Sequence, residues 1–315
     1  MSYEAGTASS ISDLFSKLNT FAAANGWTIN HSASDRLFLT RSGVSVAFRW
    51  DSTTPTCAGI YQHTAFINSA TAPGNHTNDS GQGEVSGSDA TLLTGRHVPL
   101  TNSTSRYWFF EADTYIHVVV ETAASRVVHF GFGLLLKKGT WTGGSYSYGT
   151  RYTVGGLSNS ETYLLDGFSQ SPAFCGSLNI ESLPNQTASG RWGITWAGTS
   201  GGSGNDRGGT ARELIQGGFR GGPIAKNFAR MGGAVNNGVI PLYSLGCWYK
   251  DRSLARWYEL GHMPDVRGVN MRWFSPGDEV TIGSDVWLFF PSRYLPVIGA
   301  GNTGNAGIAY KKVTT

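Results

Sequence analysis

Charge is scarce in this chain. Of 315 residues, 24 are Lys or Arg and 21 are Asp or Glu, 14% in all, with a net charge of +3. An ordinary soluble protein carries about a quarter. So small a surplus excludes bulk attraction to nucleic acid as a default mode of action. Cysteine is nearly absent. Cys57, Cys175 and Cys247 stand far apart, which excludes a disulfide framework and any metal-ligand spacing. No apolar run approaches the ~18 residues of a membrane helix. The start, Met1-Ser2-Tyr3-Glu4-Ala5, has no basic stretch leading into an apolar one, so no signal peptide is expected. Without one, the Asn-x-Ser/Thr triplets at Asn30, Asn75, Asn78, Asn102 and Asn185 read as Ser, Thr and Asn abundance, not glycosylation.

What the chain has instead is glycine, 43 residues, and aromatics, 12%. That composition is unlike a helical bundle and argues against wholesale disorder. One helix is expected. Ile11, Leu14, Phe15, Leu18 and Phe21 make one apolar stripe, Ser10 and Asp13 stand at capping-box spacing, and Asn25-Gly26 is a stop.

Strand signals follow. Arg36–Thr40 and Val44–Trp50 flank Ser42-Gly43 as a hairpin. Tyr107–Glu121 and Arg126–Lys137 form the densest strand pair, turning at Thr122–Ser125. His117 and His129 sit inside it without a carboxylate or second His at motif spacing, so both read as packed sheet histidines. Gly131 and Gly133 there indicate a bulge or a close backbone approach. Val239–Lys250 pairs with Ala255–Gly261, and Val269–Phe274 leads into Ser275-Pro276-Gly277-Asp278, which suits a type II turn. Val280, Ile282, Val286–Phe290 and Gly307–Lys311 close the strand set. Residues 68–90, rich in Ser, Thr, Asn and Gly, read as a long loop.

The middle differs. From Ala197 to Gly238 glycine dominates, and only Thr210–Gln216 suggests a helical turn. Residues 190–256 hold nine basic and three acidic side chains, a balance of +6, so the rest of the chain sums to −3. That asymmetry suggests complementary surfaces. Arg207, Arg212, Phe219, Arg220, Lys226, Phe228 and Arg230 are the candidate interface residues. Arg220 between two glycine pairs resembles a single RNA-binding Arg-Gly-Gly unit; such segments work by repetition, so nucleic-acid contact is not expected. Residues 139–160 carry Trp141, Tyr146, Tyr148 and Tyr152 among glycines. They suit either a sugar-stacking platform or aromatic cross-strand pairs in a hairpin.

Compact catalytic motifs are missing. The glycine clusters at 201–204 and 217–222 lack the Gly-Lys-Ser/Thr ending of a phosphate loop, and neither Gly-x-Ser-x-Gly nor His-Glu-x-x-His occurs. Glu111/Asp113 and Asp278/Glu279 are close carboxylate pairs at turns or strands. A two-carboxylate glycan hydrolase draws its acids from distant positions, so that reading stays open as an alternative.

Three stretches carry a resemblance. The first is Asp13-Leu-Phe-Ser-Lys-Leu through Ala24-Asn-Gly-Trp-Thr. The second is Tyr107-Trp-Phe-Phe, Ile116-His-Val-Val-Val-Glu, Val128-His-Phe-Gly-Phe-Gly and Gly139-Thr-Trp-Thr-Gly-Gly. The third is Val266-Arg-Gly-Val-Asn-Met, Pro276-Gly-Asp-Glu, Trp287-Leu-Phe-Phe-Pro and Gly304-Asn-Ala-Gly-Ile-Ala-Tyr. Together they resemble a family of virion structural proteins from the tail and neck region of tailed bacteriophages. The resemblance covers both ends and thins between about 150 and 238.

It implies a place in a particle and no reaction. The expectations are therefore a non-enzymatic virion component of tail, collar or baseplate, assembled in the host cytoplasm, with no cofactor, metal or catalytic residue. Its partners would be other virion proteins and copies of itself in a ring or fibre. A host-surface glycan-binding module is the first alternative. The expected fold is mainly β: an antiparallel sandwich or barrel with one N-terminal helix at about 10–25 and a long Gly-rich insertion. Residues 1–150 and 239–315 supply the framework, and 151–238 form the assembly arm.

Overall fold

A computed structural model describes residues 2–51, 57–63, 65–71, 97–124, 126–150, 174–182, 191–194, 212–216, 242–251, 256–271, 274–291 and 306–312. Most of the loop expected at 68–90 lies outside them. The fold is mainly β, with one helix among the described residues. Strand β1 (Ser2–Ala8) leads into helix α1 (Ile11–Ala24), whose stripe of Ile11, Leu14, Phe15, Leu18, Phe21 and Ala22 is buried. The Ser10 hydroxyl accepts the Asp13 N–H at 3.1 Å, while the Asp13 carboxylate takes the Ser9 N–H at 2.8 Å. The capping box is thus closed one residue earlier than expected. Gly26 then turns the chain out at φ +81°. Replacing Ser10 by Ala orphans one helix-end donor and is expected to cost about 1 kcal/mol, read as a lower urea midpoint with an unchanged slope.

The five-stranded sheet runs β2 (Thr28–Ser32), β3 (Arg36–Arg41), β4 (Val44–Asp51), β5 (Cys57–Gln62), β6 (His97–Pro99) in spatial order. The β3–β4 hairpin turns on Ser42 and Gly43, both at positive φ, the geometry whose twist matches the flanking strands. The second sheet holds β1 beside β7 (Ser105–Ala112), β8 (Tyr115–Ala123), β9 (Arg126–Leu134) and β11 (Thr142–Thr150), then β12 (Phe174–Ser182) and β13 (Arg191–Ile194). The third runs β14 (Arg212–Gln216), β15 (Tyr243–Asp251), β16 (Arg256–Asn270), β19 (Ala306–Lys312), β18 (Asp285–Pro291), β17 (Asp278–Ile282), and the short β10 (Leu136–Lys137) pairs with β16. All pairings in the three sheets are antiparallel. The sheets stack as a sandwich and do not close into a barrel.

Strand alternation places the seven-stranded β1–β13 sheet in the middle. Along β7, Tyr107 and Phe109 face one side, and Trp108 and Phe110 face the other. The first side packs on α1 and on Leu37, Leu39, Val46 and Phe48 of the five-stranded sheet, with Phe15 stacked on Trp50 at 4.4 Å between centroids. The second side packs on Leu260, Val266, Leu288, Phe290, Ile308 and Tyr310 of the C-terminal sheet. Each such side chain contributes on the order of 2 kcal/mol by leaving water. N-terminal and C-terminal residues therefore share one core.

Several expectations need correction. The run Tyr107–Glu121 is not one strand: it turns at Asp113-Thr114, and β7 pairs with β8 around it. Thr210–Gln216 is not helical, because its residues Arg212–Gln216 pair with β15 as β14. The middle of the chain also supplies β12 and β13 to the central sheet. β16 runs on to Asn270, so no new strand starts at Val269. Residues 142–150 form a single strand between β9 and β12 instead of a local hairpin. The Ser275–Asp278 turn is as expected: Asp278 N–H donates to Ser275 O at 3.1 Å, and Gly277 has φ +85°.

Candidate functional site

Among the described residues, the largest concentration of chemically capable side chains lies between the central and C-terminal sheets. β8 projects Tyr115 and His117 there, β9 His129, β11 Tyr146 and Tyr148, and β19 Tyr310; all are buried. Glycine makes the gathering possible. A Cβ at Gly131 would meet His117 Nδ1, Ile116 O and Tyr148 Cε1, each at 2.8 Å. β9 thus offers bare backbone, and the flanking rings lie across it.

The opposite wall comes from an irregularity in β16. Ser244 pairs with Arg267 but Gly246 pairs with His262, so Met263, Pro264, Asp265 and Val266 stand against Leu245 alone. Such a bulge re-aims the chain. Pro264 has no N–H to donate, which suits this position, and Asp265 sits at φ +51°. The excursion presents Pro264 O to His117 Nε2 at 3.1 Å and the Asp265 carboxylate to the Tyr115 hydroxyl at 2.9 Å. His129 Nε2 meets Pro291 O at 2.9 Å.

A carbonyl oxygen can only accept, so Nε2 of each histidine carries the proton. Each Nδ1 must then accept. Tyr148 donates to His117 Nδ1 at 2.8 Å, and Tyr310 donates to His129 Nδ1 at 2.9 Å. Both phenolic protons are thereby committed. No proton remains for the contact between the two phenol oxygens, which stand 3.4 Å apart. The result is two back-to-back carbonyl–imidazole–phenol chains linking the sheets.

Electrostatics match that assignment. Burial pushes the His117 pKa down to about 3 and that of His129 to about 4, the carbonyl contacts opposing only in part. Burial raises Tyr148 and Tyr310, and Tyr115 through burial first and the Asp265 charge second. Both imidazoles are neutral near pH 7. They act as spacers that satisfy main-chain carbonyls inside an apolar interface, where an unmet polar group costs about 1–3 kcal/mol.

A second polar cluster lies at the β7–β8 turn, on the helix-covered face of the central sheet. Arg41 donates to Glu111 Oε1 at 2.5 Å, to Asp113 Oδ1 at 2.7 Å and to Asn25 O, joining the helix C-terminus to the β7–β8 turn. Trp27 Nε1 also faces Glu111 Oε1 at 3.4 Å. Burial raises the Glu111 pKa, and Arg41 offsets part of that rise. The other close carboxylates are engaged as well: Asp278 accepts the Ser275 N–H at 2.7 Å, and Glu279 pairs with Lys312 at 2.6 Å.

The sequence-derived candidates fare differently. Trp141, Tyr146 and Tyr148 are only 3%, 1% and 1% exposed, which corrects the sugar-stacking expectation for these three: their faces meet other side chains, and Trp141 Nε1 donates to Leu260 O at 2.9 Å. Tyr152 lies outside the described residues. Arg212 opens β14 opposite Asp251, while Arg207, Phe219, Arg220, Lys226, Phe228 and Arg230 lie outside the described residues. His117 and His129 are sheet histidines, as expected. Tyr115, Pro264, Asp265, Pro291 and Tyr310 were not singled out for this site from sequence, and only the alternation of Tyr310 with Ile308 marks it as inward-facing. Among the described residues, no three His, Cys, Asp or Glu side chains gather in a way that could hold a metal ion. Compared with known proteins, the chain matches no family model and no curated sequence.

Proposed function

We propose that this chain is a structural component of a tailed-phage particle, in its tail, neck or baseplate, acting through subunit contacts and not through catalysis. The observation that carries the reading is the use made of its reactive side chains. His117, His129, Tyr148 and Tyr310 are enclosed, neutral and bonded across two sheets, and the carboxylates of Glu111, Asp113 and Glu279 are held by Arg41 and Lys312. These groups maintain a shape. Low charge limits the desolvation cost of wide protein contacts, and abundant aromatics supply contact area. The stretches that resemble tail and neck proteins fall on α1, β7–β9 and β16–β19, the framework of this shape.

Purified particles treated with gold-labelled antibody against this chain test the proposal. Label at one fixed station, in constant number per particle, is the expected image. Label missing from particles, with the protein recovered free from the lysate, would overturn it.

A further inference from the structure

Sheet edges invite unwanted pairing, and proteins blunt them with charge, proline, bulges or brevity. Among the described residues, nearly every sheet edge here shows one of these devices. β2 has a register break between Ile29 and His31. β6 is three residues long and ends at Pro99. β10 is two residues with Lys137, β13 is four with Arg191, and β14 carries Arg212 and Glu213. β17 begins Asp278-Glu279.

β1 has the least protection of them, a single acidic residue. It is seven residues long and pairs with β7 without a break in register. It contains no proline and no basic residue. Its only charge, Glu4, is occupied by the Tyr107 hydroxyl of its own chain at 2.7 Å. Ala5 and Thr7 are exposed. Among the described residues no strand pairs with its other long edge.

We propose that β1 is a docking edge for a second copy of this chain: two β1 strands pair antiparallel about a two-fold axis at Ala5, joining two central sheets into one. The sequence is self-complementary in that register. Ala5 faces Ala5 of the second copy, Glu4 faces Gly6, Tyr3 faces Thr7 and Ser2 faces Ala8. The two carboxylates never oppose one another, and Tyr opposite Thr is a favourable strand pair. A contact that maps one patch onto itself closes as a dimer.

The pairing does not rest on the particle reading. A chain absent from virions yet dimeric through β1 would end that reading and leave this one standing. The test uses the full chain in sedimentation equilibrium across a concentration series. Wild type is expected to dimerise. Ala5→Lys and Ala5→Glu each place like charges on the axis at an exposed position, so each should fold normally by circular dichroism. Each should dimerise at least roughly tenfold more weakly, since like charges facing one another repel. An equimolar mixture of the two variants should regain the dimer, because Lys then faces Glu. A monomeric wild type, an Ala5→Lys dimer of undiminished strength, or a mixture that stays monomeric would each overturn the proposal.

Discussion

Acidification from pH 7 to pH 4 is expected to destabilise this protein by up to about 3 kcal/mol for each of its two inter-sheet histidines. In the unfolded chain an imidazole titrates near its ordinary 6.5, whereas the folded values lie at about 3 for His117 and about 4 for His129. As pH falls below 6.5, the unfolded state takes up protons that the native state refuses. Native stability therefore drops steadily until the folded pKa is reached. The groups facing these rings cannot relieve the charge. Tyr115, Tyr146, Tyr148 and Tyr310 are neutral phenols, and the Asp265 carboxylate is bonded to Tyr115. A protonated imidazole would also need an acceptor at Nδ1, where a tyrosine now donates.

The measurement is the urea midpoint as a function of pH. A double variant, His117→Gln with His129→Gln, keeps a donor and an acceptor at each position without a titrating ring. It is expected to be less stable at pH 7 but to lose much less between pH 6.5 and 4. Equal slopes for variant and wild type would refute the assignment of neutral, buried imidazoles.

Gly133→Ala is expected to do severe damage. A Cβ there would lie 2.4 Å from Tyr115 Cβ and 2.5 Å from Thr114 O. Both belong to main chain or its first side-chain atom, so no rotamer change relieves the clash. β8 would have to move away from β9, taking the Tyr115–Asp265 bond with it. Overpacking of this kind costs about 3 kcal/mol. As a control, Gly139→Ala meets nothing within 4 Å, although its φ of +84° carries its own strain, about 1 kcal/mol. A thermal midpoint for Gly133→Ala no lower than that of Gly139→Ala would contradict the packing described here.

Where the sequence was legible, the signal was local. Helix α1 shows itself by spacing and caps, the β3–β4 hairpin by Ser42-Gly43, and the turn before β17 by Pro276-Gly277. The misses were of two kinds. β1, Ser-Tyr-Glu-Ala-Gly-Thr-Ala, has no apolar alternation. It is a strand because β7 supplies a partner about a hundred residues away in sequence. β14 contains Glu, Leu, Ile and Gln, all acceptable in a helix, and pairing with β15 overrides that preference. The inter-sheet network was half visible. The strand pattern around His117 and His129 marks both as sheet residues, but their bonding partners lie 31 to 181 residues away. The one signal for Pro264 was a proline inside an otherwise strand-like run.

The place of β19 has a consequence for synthesis. The last strand among the described residues, it sits inside its sheet, between β16 and β18. While the nascent chain is leaving the ribosome, the face bearing Trp108, Phe110, Tyr146 and Tyr148 lacks part of its cover until Ile308 and Tyr310 arrive. During that interval the polypeptide is a sticky half-sandwich. A stop codon ahead of Ala306 would make the condition permanent, yielding a product fit for chaperones or proteases and not for assembly.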